Sequence, residues 1–108
     1  DVTYVEAARA IGEITMKRGV MENSSAEQNV SYMYRLTVSR QPTDEVRSIL
    51  VSAYDEYLSE YQSNRAAALE LVSEGESARD QTLDIAQLAA YQMVASLILN
   101  LDGTITRD

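Results

Sequence analysis

The stretch from Ile85 to Leu101 constrains the fold of this chain most. Its polar members, Gln87, Gln92, Ser96 and Asn100, make only a narrow stripe if the segment is helical. A helix apolar on most of its circumference has to be covered on most sides, so it sits at the centre of a bundle or covers a partner. Its polar interruptions leave it short of the run of about 20 apolar residues that spans a bilayer. Everything before it then has to supply amphipathic cover.

The preceding sequence offers four such pieces. Thr3-Tyr4-Val5-Glu6 reads as a capping box. After it, Tyr4, Ala7, Ala8, Ile11 and Ile14 share one helical face, with Glu6, Arg9, Glu13 and Lys17 opposite and Gly19 as the stop. Ser24-Ser25-Ala26-Glu27 repeats the capping pattern ahead of a second stripe, Ala26, Val30, Met33, Tyr34 and Thr37, which the sole proline, Pro42, closes. Thr43 caps the third and cleanest segment, with Asp44 and Glu45 where the helix dipole favours negative charge. Val46, Ile49, Leu50, Ala53, Tyr54, Tyr57, Leu58 and Tyr61 give it an i, i+3, i+4, i+7 stripe. Ser63-Asn64 marks a break before a short Ala-rich helix ending near Gly75; Gly75 to Thr82 has no apolar period and reads as a surface loop. The last helix begins at Asp84. No strand alternation of useful length and no internal repeat is visible. The expected fold is all-α: one domain over residues 1–108, a compact bundle of about five mostly antiparallel helices with the last one central.

Composition removes whole classes of function. Nine Lys and Arg against 17 Asp and Glu give a net charge of −8 with no basic run, so nucleic acid and anionic membranes are poor partners. At 108 residues folding buries roughly two-thirds of the unfolded chain's surface, enough for a core without disulfides or metal. There is no Cys and no His. Ser-His-Asp and Cys-His nucleophile systems, thiolate or imidazole zinc sites and haem attachment through Cys-x-x-Cys-His are therefore all excluded. What remains is carboxylate, Lys, Tyr or backbone chemistry.

Several strings invite a chemical reading. Leu97 to Thr106 resembles the first motif of haloacid-dehalogenase-type phosphatases, but Asn100 stands at the nucleophile position, and an amide cannot form an aspartyl-phosphate. Asp55, Glu56 and Glu60 lie opposite the third helix's apolar stripe and read as a solvated face; a di-iron bundle site would also need His. Glu74, Glu76 and Asp80 offer oxygen donors, but at spacings unlike a calcium-binding loop. Neither catalytic residues, nor a metal site, nor a cofactor is expected in this segment. Seven tyrosines without Phe or Trp are an unusual aromatic choice. Tyr54, Tyr57 and Tyr61 fall on one side of the third helix, either as rings at the margin of a small core or as a docking face, since Tyr is favoured at interfaces. Arg40, Pro42 and Thr43 form the turn between the second and third helices, where a guanidinium can complement a helix C-terminus. Arg9 and Arg35, inside helices, are expected to pair with acidic neighbours at the surface.

Three strings taken in order carry a resemblance over nearly the whole chain: Val5-Glu6-Ala7-Ala8-Arg9-Ala10, Tyr34 to Thr43, and Leu99 to Arg107. Together they resemble the C-terminal domain of unknown function of large planctomycete-type, cytochrome c-associated bacterial proteins. In that family the middle string usually reads Leu-Gly-Arg-x-Pro-Thr-x-x-Glu; here Ser39 replaces the Gly and Val46 the Glu. The tail commonly reads Leu-Asn-Leu-Asp-Glu, where this chain has Gly103. The resemblance implies an exported parent and an extracytoplasmic setting, with haem chemistry confined to a distant domain. The opening on Asp1 fits an excised C-terminal module.

The expected function is a non-catalytic helical interaction or structural module, packing against other domains of the parent chain or a protein partner, without nucleic acid or membrane insertion. Homo-oligomerisation is compatible with it. The alternative is that Arg40 or the carboxylates Glu70 and Glu74 complete an enzyme site whose remainder lies upstream.

Overall fold

The computed structural model describes residues 2–75 and 77–102. Among the described residues the chain forms five helices and no strand: α1 (Val2–Glu22), α2 (Ala26–Val38), α3 (Asp44–Ser63), α4 (Arg65–Val72) and α5 (Ile85–Asp102). The last helix is central, as its composition requires: α5 packs against all four others, while α1 and α2, α2 and α3, and α3 and α4 pack as consecutive neighbours. Leu88, Ala89, Ala90, Val94, Ala95 and Ile98 of α5 are fully buried. Its polar residues do not form one solvated stripe. Gln92 is buried and its Oε1 has no hydrogen-bond partner among the described residues, whereas Gln87 and Asn100 are exposed.

The helix ends follow local chemistry. Ser25 caps α2 by accepting from the Gln28 N–H, and Gln28 returns the bond to the Ser25 N–H; the box sits one residue later than Ser24-x-x-Glu27. Thr43 Oγ1 accepts from Val46 N–H, Asn64 Oδ1 from Ala67 N–H and Asp84 Oδ2 from Gln87 N–H, each satisfying an orphan donor at a helix start. Ser39, left-handed at φ 69°, closes α2 by donating to Arg35 O, and Pro42 is buried behind it.

Two expectations for α1 fail. Thr3 is not a cap, since the helix is already formed at Val2. Gly19 is not a stop: α1 runs on to Glu22, where Asn23 takes φ 53° while Ser24 N–H bonds to Gly19 O and Asn23 N–H to Val20 O, a Schellman ending. Gly19 is glycine for a different reason, because a Cβ there would lie 2.9 Å from Asn29 Oδ1 on α2. Gly12 likewise brings α1 against α5, with its missing Cβ only 3.3 Å from Gln92 N. The buried face of α1 is therefore Ala8, Gly12, Thr15, Met16 and Gly19, and Ala7 and Ile14 of the expected stripe are exposed.

Position within this core sets the cost of truncation. Leu88→Ala at the fully buried centre should destabilise the fold by about 2–5 kcal/mol. Ile49→Ala should change it by less than about 0.5 kcal/mol, because Ile49, though on the apolar stripe of α3, is 55% exposed. Urea unfolding of the two variants measures the difference.

Candidate interaction surface

The charged stripe of α1 is not a solvated face. Arg9 is only 3% exposed, and its guanidinium donates to three main-chain carbonyls at and beyond the end of α4: Nη1 to Val72 O at 2.9 Å and Glu74 O at 2.5 Å, Nη2 to Ser77 O at 2.6 Å. The expected surface pairing of Arg9 is thereby corrected. One turn to either side, Glu6 Oε2 accepts from Ser77 N–H and Glu13 Oε2 from Asp80 N–H, both at 2.8 Å, and Lys17 Nζ pairs with Asp80 Oδ2 at 2.9 Å. Residues spaced for one helical face thus read the backbone of a connection that has no apolar period of its own. Gly75 completes the fit, with φ at +95° and no room for a Cβ, which would meet Glu6 Cγ at 2.6 Å. Glu74 contributes its carbonyl here and Asp80 its carboxylate, while Glu76 lies outside the described residues. Among the described residues no three acidic side chains converge to hold a metal ion.

The tyrosines separate into two groups. Tyr54 is 5% exposed and lies in the core, stacked on Tyr91 with ring centroids 4.2 Å apart, and Tyr91 OH accepts from Asn29 Nδ2 at 2.9 Å. Burial pushes both phenols above their ordinary range. Tyr54 is therefore not on an open face, and only Tyr57 and Tyr61 remain half-buried at the margin of the core. Asp55, Glu56 and Glu60 are exposed. Arg40 is also exposed and borders, with Tyr34, Val38, Val46 and Leu101, a recess of about 210 Å³ between the end of α2, the start of α3 and the end of α5. Asn100 is helical rather than at the end of a strand, which removes the geometry of a phosphatase motif; residues 103–108 lie outside the described residues.

The two most exposed apolar side chains were missed by the periodicity. Val20 and Met21, 79% and 86% exposed, project from the last turn of α1 beside a recess of about 250 Å³ lined by Met16, Gly19, Asn29 and Tyr91. They follow Gly19, so a reading that ends the helix there leaves them in a loop. Their signal is two large apolar residues immediately ahead of the polar run Glu22-Asn23-Ser24-Ser25.

No family model, curated protein or solved structure matches this chain.

Replacing Arg9 by Met should destabilise the fold by about 1.5–3 kcal/mol, the range for hydrogen bonds to a charged group, and Arg9→Lys should recover only part of it because the fork is lost. Chemical denaturation reads both. Asp80 supplies a pH signature: hydrogen bonds from the Thr82 hydroxyl, then Lys17, then the Thr82 amide hold its carboxyl well below the usual carboxylate range. A carboxyl lowered on folding stabilises the fold above its unfolded pKa, about 4, and that contribution disappears as pH falls towards the folded value. Carbon NMR should show Asp80 titrating below 3.8, and Asp80→Asn should lose this acid limb of the stability profile.

Proposed function

We propose that this chain is a non-catalytic helical interaction module whose occupant is another domain of the same parent chain. The observation that carries the reading is the Val20–Met21 pair, two apolar side chains left almost wholly in water at the end of the first helix, next to an open recess. Exposed apolar surface of this kind marks interaction sites, and methionine suits an adaptable contact because its unbranched side chain fills irregular gaps. Ile14, Leu36, Ile49, Leu69 and Leu101 add apolar exposure elsewhere on the bundle. The resemblance to the C-terminal region of large exported bacterial proteins supports the choice of occupant and an extracytoplasmic setting. Among the described residues no helix is long and apolar enough to cross a membrane.

Hydrogen exchange compared between this chain alone and the full parent protein tests the reading. Amides 19–24 should gain protection in the parent, and Val20→Ser with Met21→Ser should abolish the gain while leaving the isolated chain as stable as before. Equal exchange in both contexts would refute the docking role. Concentration-dependent dimerisation of the isolated chain, lost in the double variant, would transfer the occupancy to a second copy and refute the parent-domain assignment.

A further inference from the structure

The end of α1, the outer face of α2 and the start of α3 enclose a cleft of about 380 Å³ that gathers three of the chain's nine basic residues, Arg18, Arg35 and Arg47. Tyr32 stands among them, with Arg18 Cζ 4.2 Å and Arg35 Cζ 5.8 Å from its ring centroid. Stacking on an aromatic face holds a guanidinium's plane through cation–π attraction while leaving its N–H donors free to point elsewhere. Arg9 and Lys17 are committed to the connection before α5, whereas this cleft brings three guanidiniums to one opening in a chain of net charge −8.

Existing partners do not match these charges well. Arg18 meets Glu22 at 3.3 Å and Arg47 meets the exposed Asp44, whereas Arg35 has no carboxylate at ion-pair distance among the described residues. Glu22 and Glu27 border the opening and Asp44 meets Arg47, so three carboxylates face the three guanidiniums and Arg35 is the one without an ion-pair partner among the described residues. Ser31 adds a neutral hydroxyl.

We infer that this cleft is a binding site for a small dianion bearing phosphate or paired carboxylate oxygens, held by Arg18 and Arg35 beside Tyr32 and by Arg47. The guanidinium fork fits both oxyanions in bidentate fashion. The volume lies within the range of small-ligand sites, about 300–1,000 Å³. Glu22 and Asp44 are internal competitors: their carboxylates occupy Arg18 and Arg47 until an incoming anion takes their place. This site is separate from the Val20–Met21 surface and stands or falls independently of the docking reading.

The test is an NMR titration at low ionic strength with inorganic phosphate in one arm and succinate in the other, each against chloride at matched ionic strength. Saturable shifts confined to the Ser31 and Tyr32 amides and the Arg18 and Arg35 side chains are expected, with a dissociation constant on the order of 1 mM. Arg35→Gln should weaken binding by at least about tenfold. Tyr32→Phe should retain it and Tyr32→Leu lose it, since both Tyr and Phe faces attract a guanidinium. Glu22→Gln should tighten it by removing one of the two competing carboxylates. Saturation in only one arm supports the site and selects the anion. Shifts that fail to saturate, that appear equally at Arg65 and Arg79, or that ignore Glu22→Gln would overturn the assignment.

Discussion

A central helix with almost no polar side leaves its neighbours little freedom. Because α5 must be covered nearly all round, each of the other four helices is committed to it, and the second, third and fourth also pack on their predecessors. Small residues make that crowding possible. Ala8, Ala68, Ala89, Ala90 and Ala95 are fully buried, and Gly12 lets the backbones of α1 and α5 meet where any side chain would push them apart. The close approach at Gly12 also encloses Gln92, whose unpaired Oε1 is a cost the packing has to outweigh.

The connection between α4 and α5 raises the opposite problem. It has too few apolar residues to hold itself against the bundle by burial, yet it has to return the chain to the core. Hydrogen bonds to its backbone replace hydrophobic contact: Arg9 takes three carbonyls, and Glu6 and Glu13 each take an amide. Acceptor, donor and acceptor succeed one another along the helix face, and each finds the complementary backbone group, which fixes register more sharply than apolar packing would. A buried guanidinium is costly only while its donors are unmatched, and here the carbonyls of Val72, Glu74 and Ser77 supply the match.

Much of the fold was legible because it rests on local chemistry. Pro42 and Thr43, Asn64 and Asp84 mark helix boundaries through their own backbones and side chains, and the apolar count from Ile85 to Leu101 places α5 inside without reference to anything else. Apart from the two misplaced capping boxes, the failures involve a partner elsewhere in the chain. Whether Gly19 ends a helix or admits Asn29 depends on where α2 lies. A stripe of Glu6, Arg9, Glu13 and Lys17 reads the same whether it faces water or another segment's carbonyls. Of the tyrosine face, Tyr57 and Tyr61 keep partial exposure while Tyr54 turns inward, because Tyr91, 37 positions later, presents a ring for it to stack on. The arginine cleft was equally illegible: Arg18, Tyr32, Arg35 and Arg47 come from three helices, and only their packing brings them to one opening.

The central place of α5 also has a temporal meaning. During synthesis the helix that all others need emerges after them, and so do the carbonyls that neutralise the burial of Arg9, 63 to 68 residues downstream. Until then the faces of α1 to α4 that pack on α5 stay uncovered, and no subset of the four can form the finished core. Completion of the core therefore waits on the last helix to be made, which places commitment late in the growth of this segment.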